Sequence, residues 1–343
     1  MKQHRPAQLP IGDVLQLSFR SLSHLFDLLE LIIAGTTSTA VVLMSVSVVM
    51  PAKNAAAYIG EAIESVFAQG GDVGELIIVD DGSTDDTVSL VRRLSDGRIR
   101  LVANGATGVS AARNLGARLA GGPWLMFLDA DDRLRPGAVS TLLIAAKAAQ
   151  HAIVVYGDYD RIDSKGSPIG RRGRLKRRSK PSGRVLERLA AGNFIVNGGV
   201  MIIRSDAFNS AGGFDESLKY CEDWHCWCRL AAVGEFQFIP ALLLDYRLHA
   251  TNTMTAALRS PEDFFPAVER VFNDKLILGK LPADSTPRLR RDAEVHLLTY
   301  AAAQAIRFRR YGEALCYVRR VAQKSPLSTP RAVIRLGLAY AGI

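Results

Sequence analysis

Residues 76–87 read LIIVDDGSTDDT, in which four apolar residues precede two carboxylates, a glycine and a run of hydroxyl and acidic side chains. The apolar run is typical of a buried strand, and the glycine favours a tight turn after it. We expect Ser83 or Thr84 to cap a following helix, with two acids in its first turn, where the helix dipole favours negative charge. The stretch therefore predicts a strand, a turn and a helix, with Asp80 and Asp81 at the strand end.

The same plan recurs through the first part of the chain. VSVVM at 46–50 predicts a buried strand that ends at Pro51, and apolar residues at 59, 63, 66 and 67 share one helical face. Further strands are predicted at 99–102 and in WLMFL at 124–128, with a helix between them. Alternation of this kind predicts an α/β fold, a mainly parallel sheet with helices on both faces.

Carboxylates collect where these strands end. WLMFLDADD at 124–132 closes a buried strand with three acids in four positions. Parallel sheets bind ligands beyond the carboxyl ends of their strands, and side chains two apart on extended chain face the same way. We therefore expect Asp129 and Asp131 to face one ligand and Asp132 to point elsewhere. Such crowding predicts a hard cation, Mg²⁺ or Mn²⁺, shared with phosphate oxygens.

The charge of the chain is unevenly placed. The formal net charge is +9, but RRGRLKRRSK at 171–180 holds seven basic residues and 287–335 holds eleven, so the remainder is acidic. This pattern suits a metal-binding core at an anionic membrane surface. No aromatic interleaving or zinc-finger spacing indicates nucleic acid as a partner. The 48% hydrophobic content predicts a folded core.

Three segments are expected along the chain. Residues 31–50 carry no charge and have the length of a bilayer span, but six are Ser or Thr and the last five are needed as a strand. We interpret 1–43 as an extension before Met44, or as a segment outside the natural product. The α/β domain would then occupy 44–250, and 251–343 would form an arginine-rich C-terminal helical region that packs against it. Without a convincing secretory signal, we expect a cytoplasmic protein, peripheral at the inner face of the membrane.

Seven stretches, in order, resemble the inverting glycosyltransferases of family two, which have the GT-A (Rossmann-like) fold and use nucleotide sugars. The likeness covers about residues 45–250. The stretches are VSVVMPAKN, LIIVDDGSTDDT, GVSAARNLG, FLDADD, GGFDE, CEDWHCWCRL and YRLH.

The resemblance implies nucleotide-sugar contacts for residues near the first strands. Asp81, beside Asp80, would hydrogen-bond the nucleotide base, usually uracil. Pro51 and Lys53 would line the base pocket, and Arg113 would lie near the nucleotide to balance charge. Family members often have an aromatic residue at the position of Lys53. Because this chain has a lysine there, the identity of the nucleotide base stays open.

The resemblance also implies a metal site and a phosphate contact. Asp129 would touch the ribose, and Asp131 would bind a metal that bridges the two phosphates. His249 would be a further ligand to metal or phosphate, and Arg247 would bind phosphate. A lone histidine is more often structural, so His249 has that alternative.

The pair Glu222 and Asp223 would supply the chemistry. The resemblance implies Asp223 as the catalytic base and Glu222 as the residue that orients the acceptor, a hydroxyl of a glycan or lipid-linked molecule. Inverting transfer needs one base to take the hydroxyl proton and one cation to stabilise the departing diphosphate. Without the resemblance, the two acids would be read as a favourable helix start.

Other interpretations stay open at this point. GATGVSA at 105–111, with Asp129 about twenty residues on, imitates a dinucleotide fingerprint, so an NAD(P)-dependent dehydrogenase or epimerase is one alternative. A non-catalytic nucleotide-sugar-binding interaction protein is another. His225 and the cysteines near it suggest a zinc site, although helical spacing points these side chains in different directions. Trp224 and Trp227 would be core residues or acceptor-stacking residues.

Overall fold

An eight-stranded mixed sheet lies at the centre of the described chain, with strand order β3-β2-β1-β4-β7-β6-β8-β5. β1 pairs in parallel with β2 and β4, β2 with β3, and β6 with β8; β7 is antiparallel to both its neighbours, and β5 is antiparallel to β8. The strands are β1 (Val46–Ala52), β2 (Val73–Asp80), β3 (Ile99–Ala103), β4 (Trp124–Phe127), β5 (Arg133–Leu134), β6 (Ala152–Ile162), β7 (Met201–Arg204) and β8 (Glu235–Arg247).

The structure is a computed structural model that describes residues 45–94, 96–169, 179–195, 197–250, 252, 257–330, 333–334 and 337. The extension predicted at 1–43 and most of the basic stretch 171–180 lie outside the described residues. The described helices are α1 (Ile59–Phe67), α2 (Thr87–Arg92), α3 (Val109–Leu119), α4 (Ala138–Ala148), α5 (Leu186–Ala190), α6 (Ser205–Ala211), α7 (Glu222–Val233), α8 (Phe265–Val271), α9 (Lys275–Leu278), α10 (Thr286–Arg307) and α11 (Tyr311–Lys324).

Both faces of the parallel part of the sheet are covered. Leu76 and Ile78 of β2 belong to the main core, whereas Ile77 and Val79 pack with Ala112 of α3 in a second cluster. This alternation explains why LIIV reads as continuously apolar, since a strand buried on both faces needs no polar side. The predicted α/β class, with its mainly parallel sheet and C-terminal helices, is confirmed.

A glycine brings α3 close to the central strand. A Cβ atom added at Gly116 would lie 2.3 Å from Cγ1 of Val49, a distance that no side chain tolerates. The close approach seats the start of α3 at the carboxyl edge of β1 and β2. Residues on the first turns of α3 therefore face the strand ends that carry the acids.

The C-terminal helices share the core of the sheet domain. Phe264, Val268, Ile277 and Leu289 belong to the same apolar cluster as the strands. Within the predicted helical region, α10 and α11 form a hairpin, packed through Ala301, Ala302, Ala305, Ala314 and Tyr317. In the described part of the chain, no helix combines the length and the apolar character needed to cross a bilayer.

Candidate active site

Hydrogen bonds join the loops that follow β1 and β2. The backbone N–H of Asn54, a residue in left-handed conformation (φ 51°), donates to Oγ of Ser83 at 3.0 Å. Asn54 Oδ1 accepts from the Thr84 N–H at 2.8 Å, and the Ala55 N–H donates to Oγ1 of Thr87 at 2.8 Å. Ser83 and Thr84 therefore link two loops and do not cap the helix, which begins later, at Thr87.

Asp81 lies among hydrogen-bond donors. Its Oδ1 accepts from the Gly108 N–H at 2.9 Å and from Asn104 Nδ2 at 2.8 Å, and its Oδ2 lies 3.3 Å from Lys53 Nζ. Burial alone would raise the pKa of Asp81, but these three donors outweigh it and hold the pKa below its usual value. Asp81 is therefore held as a carboxylate at the edge of the cleft.

The other predicted nucleotide contacts around β1 and β2 differ in placement. Asp80 accepts the Ser83 N–H on both carboxylate oxygens, at 3.2 and 3.3 Å, so it shapes the turn after β2. Pro51 is buried in β1, in register with Val79. The Lys53 side chain is 54% exposed and reaches the cleft from outside.

Arg113 joins the end of β4 to the start of α7. Its Nη2 lies 2.7 Å from Asp129 Oδ1, and its Nη1 lies 3.0 Å from Glu222 Oε1. The guanidinium carbon lies 5.3 Å from the ring centre of Phe214. Burial would lower the pKa of Arg113, but the facing carboxylates raise it further, so its charge is permanent. One buried cation thus holds two of the predicted site acids together.

Asp223 follows Glu222 in the first turn of α7. Its Oδ1 accepts the Trp224 N–H at 2.6 Å, and its Oδ2 lies 3.4 Å from Asn193 Nδ2. Burial, followed by the charge of Glu222, raises the pKa of Asp223 to about 7, against the lowering effect of the Trp224 N–H and Arg113. A carboxylate with such a pKa is suited to accept a proton at neutral pH.

A strained residue precedes this pair. Cys221 has φ 59°, a left-handed conformation that costs a residue other than glycine about 1 kcal/mol or more. It stands at the N-cap of α7, where the chain turns sharply, with Glu222 meeting Arg113 and Asp223 facing Asn193. Strain of this kind persists where surrounding packing fixes it, and Trp224, two residues into the helix, is 2% exposed.

Asp131 and His249, the two residues expected to bind a metal, are in contact. His249 Nε2 lies 2.9 Å from Asp131 Oδ2, and Asn252 Nδ2 donates to the same oxygen at 3.2 Å. The His249 ring packs on Tyr58, with ring centres 4.7 Å apart. Burial, followed by the charge of Asp129, raises the pKa of Asp131. A cation would relieve this repulsion.

The donor set fits a cation shared with a ligand. Mg²⁺ and Mn²⁺ at phosphate sites commonly use one or two carboxylates and take their remaining ligands from phosphate and water. Among the described residues, no group of three histidine, cysteine or acidic side chains could enclose a metal by itself. Asp131 and His249 therefore fit a divalent cation only if phosphate oxygens complete its coordination.

Asp132 and Arg247 lie behind this edge. Asp132 is 1% exposed and accepts the Arg247 N–H at 2.8 Å and Asn197 Nδ2 at 2.7 Å. Its own N–H donates to the Asp129 carbonyl at 3.1 Å. Asp132 does point away from Asp129 and Asp131, but the reason is a turn at 129–132 and not the alternation of extended chain.

Arg247 is placed differently from its predicted role at phosphate. The residue is 1% exposed, its Nε donates to the Asp131 carbonyl at 2.8 Å, its Nη2 is paired with Glu61, and its guanidinium packs on Tyr58. Protein groups occupy the guanidinium, so Arg247 supports the backbone of Asp131 from behind. The sequence alone could not predict this pairing, because Glu61 lies on α1, far from Arg247 along the chain.

Two further alternatives concern α7. Trp224 and Trp227 are 2% and 1% exposed, and Trp224 Nε1 donates to the Leu189 carbonyl at 2.6 Å. They are core residues, so acceptor stacking by these rings was wrong. His225 Nε2 lies 3.1 Å from Asp274 Oδ2 and links α7 to the start of α9. The described residues place no set of three zinc ligands around it.

Three asparagines of the site had no sequence signal. Asn104 and Asn252 donate to Asp81 and Asp131, and Asn193 faces Asp223. Each supports one of the predicted acids from a loop distant in sequence. Asparagine is common in loops for conformational reasons, so no local pattern separates these three from the rest.

The fold and the site define an α/β domain of the GT-A type, with an acid-rich cleft beyond the ends of its strands. The model of glycosyl transferase family 2 matches residues 47–211. An uncharacterized glycosyltransferase of Rickettsia prowazekii is 31% identical over 225 residues, which are 64% of this chain and 69% of that protein. Chondroitin synthase of Escherichia coli is 30% identical over 210 residues, 61% of this chain and 29% of the synthase. The chain belongs to glycosyl transferase family 2 and is a glycosyltransferase.

Solved structures share the fold. Staphylococcus aureus TarS in complex with UDP-GlcNAc aligns with a TM-score of 0.59 at 18% identity, over 87% of this chain and 88% of that one. The mannosyltransferase PcManGT from Pyrobaculum calidifontis, in complex with GDP-Man and Mn²⁺, aligns with a TM-score of 0.55 at 21% identity. The alignment covers 87% of this chain and 80% of that one. With the family established, the dehydrogenase or epimerase is excluded, and a glycosyltransferase enzyme is favoured over a non-catalytic protein.

Proposed function

We propose that this glycosyltransferase moves a sugar, with inversion, from a nucleoside diphosphate sugar to a hydroxyl of a glycan or lipid-linked acceptor. One observation carries the proposal. Arg113 contacts Asp129, on the donor side, and Glu222, which adjoins the base candidate Asp223. A donor held at the strand ends and an acceptor at the start of α7 would then meet in one cleft.

The donor side suits a nucleotide with an N–H on its base. Asp81 is a carboxylate at the loop edge, and an acceptor of this kind pairs with the imide N–H of uracil. The TarS structure contains UDP-GlcNAc and that of PcManGT contains GDP-Man, so donors of both base types occur on this fold. We propose a UDP-linked sugar, with Asp80, Pro51 and Lys53 forming the surroundings of the base and Asp129 contacting the ribose.

Asp131 and His249 would hold the divalent cation, Mg²⁺ or Mn²⁺. Bound there with the diphosphate, the cation supplies positive charge that stabilises the leaving group by several kcal/mol. The protein's own part is to present the Asp131 carboxylate: Asn252 donates to the carboxylate itself, and Arg247 donates to the backbone carbonyl of Asp131. The proposed metal ligands are therefore separate from Glu222 and Asp223, the residues proposed to act on the acceptor.

Asp223 is a better base than its neighbour Glu222. Glu222 is already engaged by the Arg113 guanidinium, at 3.0 Å. Among the described residues, Asp223 has one short contact, from the Trp224 N–H, and a longer one from Asn193. In the proposed step, Asp223 takes the proton of the acceptor hydroxyl while that oxygen attacks the anomeric carbon. The bond to the diphosphate oxygen breaks on the opposite face, so no covalent sugar intermediate forms.

The proposed domain organisation follows the same division. We assign transfer to 44–250 and a supporting role to the helical region 251–343. The link between His225 of α7 and Asp274 at the start of α9 supports such a role, because it ties the helix of the base to the helical region. The extension 1–43 is given no function.

Thermal denaturation with a panel of nucleotide sugars tests the donor and the metal together. A donor at one hundred times its Kd adds about 2.7 kcal/mol to stability, which corresponds to several degrees for a chain of this size. We expect one UDP-sugar to give this shift with Mn²⁺, and EDTA to remove most of it. Asp131→Asn should lose the metal-dependent part, with Asp206→Asn as the control. A full shift in EDTA would contradict the metal site, and no shift with any nucleotide sugar would contradict the proposal.

A further inference from the structure

Exposed apolar side chains concentrate at the C-terminal end of the described chain. Of twelve large apolar residues that are exposed in the described part, six lie after Arg307. They are Phe308, Tyr311, Leu315, Leu327, Val333 and Ile334. Single exposed apolar residues are ordinary, but a concentration of them marks an interaction surface.

Three of these residues lie together where α10 turns into α11. Phe308 is 38% exposed, Tyr311 52% and Leu315 53%. Every residue of 307–312 is exposed, and Leu315 lies one helical turn beyond Tyr311 on the same face of α11. We call residues 307–315 the hairpin tip.

The hairpin tip also carries positive charge without matching acids. Within the described residues, Arg307 and Arg309 have no carboxylate at salt-bridge distance, and neither does Arg319, one turn beyond Leu315. Of the other basic residues of α10 and α11 in the described chain, Arg291 also lacks such a partner, whereas Arg288, Arg290, Arg320 and Lys324 each have one. Within the tip, Arg310 pairs with Glu313.

The backbone of the turn is unusual at one of these arginines. Arg309 has φ 60°, a left-handed conformation in which glycine is favoured. An arginine there is strained, and strain of this kind suggests a functional reason for the side chain. In the sequence, Arg309 lies between Phe308 and Tyr311, whose side chains are exposed.

From these observations we infer that the hairpin tip docks on the surface of an anionic phospholipid bilayer. Arginines without protein partners pair with lipid phosphates, and phenylalanine, tyrosine and leucine enter the boundary between headgroups and acyl chains. Tyrosine prefers this boundary because its ring is apolar and its hydroxyl is polar. The inference does not rest on the proposed transfer reaction, because it concerns binding alone.

The experiment is co-sedimentation of the full chain with vesicles. Vesicles of phosphatidylcholine containing phosphatidylglycerol are compared with vesicles of phosphatidylcholine alone. We expect the native chain to bind the anionic vesicles. For the double variant Arg307→Glu/Arg309→Glu, the partition coefficient should fall by about tenfold or more. The matched control is Arg92→Glu/Arg93→Glu, which makes the same charge change at two exposed arginines at the end of α2.

A second variant separates lipid insertion from charge. Phe308→Ser/Leu315→Ser keeps every charge, and we expect it to weaken binding several-fold, which charge alone would not do. Equal binding by the tip variants and the control would overturn the inference. So would equal binding to neutral and anionic vesicles, or tighter binding to a DNA duplex that the same variants abolish. Melting temperatures of all variants verify that each is folded.

Discussion

Asp81 and Asp223 are both partly buried carboxylates, yet their surroundings push them in opposite directions. Asp81 accepts from a backbone N–H, an amide and an ammonium group, and its pKa is lowered. Asp223 faces the charge of Glu222 in a desolvated pocket, and its pKa is raised to about 7. The first is fixed as an anion, and the second changes charge near neutral pH.

One cleft can thus use aspartate both to bind a substrate and to accept a proton. A group that must hold a donor gains from permanent charge, whereas a group that must take a proton needs a pKa near the working pH. Arg113 separates the two settings, because it pairs with Asp129 and Glu222, whereas no cation of the described residues lies at salt-bridge distance from Asp223. The following predictions test this division.

The largest expected effect is on the base. Asp223→Asn keeps the shape but cannot accept a proton, so we expect kcat to fall by roughly 10²- to 10⁴-fold with donor affinity unchanged. Steady-state kinetics and calorimetric titration of the donor measure the two quantities. Asp206→Asn is the control, since Asp206 is the second residue of α6 as Asp223 is of α7. Turnover near the native rate would remove Asp223 from the mechanism.

Asp81→Asn should give the reverse result. A hydrogen bond to a charged group contributes about 1.5–3 kcal/mol, so we expect the KM for the donor to rise by roughly 10- to 100-fold with a small change in kcat. The control is Asp86→Asn, because Asp86 is an exposed acid further along the same loop. This substitution should leave KM unchanged. If kcat fell and KM did not, the contrast between the two acids would fail.

The pH dependence follows from the raised pKa. Below about pH 7, kcat should fall close to tenfold for each pH unit, because protonated Asp223 cannot act as a base. The native pKa lies above the ordinary 3.8, so the folded state binds the extra proton, and this stabilising contribution is lost as pH rises from 3.8 to about 7. Asp223→Asn removes that loss, and its melting temperature at about pH 8 should match or exceed the native value. An acidic limb centred near pH 4 would contradict the assignment.

The smallest effect is expected at Asn193. Its amide lies 3.4 Å from Asp223 Oδ2 and donates to the ionised form. Asn193→Ala should therefore move the acidic limb of the kcat profile to higher pH and lower kcat by a few-fold, within the range of about 0.5–1.5 kcal/mol for one hydrogen bond. Asn273→Ala, at an exposed asparagine after α8, is the control. A fall in kcat without movement of the limb would indicate a merely structural role.

Most of the fold could be predicted from the sequence. The apolar runs at 46–50 and 76–79 became strands, and α7 begins at Glu222 as expected. These elements depend on periodicity and turn residues within a few positions, which the sequence displays directly. The caps at Ser83 and Thr84 were wrong because their hydroxyl and amide groups bind Asn54, thirty residues earlier in the chain, and local pattern cannot show this.

For the site, the sequence determined which acids are present and that most follow strands, since apolar runs and acidic clusters are local features. Only the tertiary structure decided their partners: Arg113 meets Glu222 across 109 positions, Arg247 is enclosed by Glu61 and Tyr58, and Asn193 faces Asp223. The catalytic and binding roles themselves remain predictions for the experiments above. The physical reason is that charge and pKa depend on desolvation and on groups within a few ångströms, and folding brings those groups from distant parts of the chain.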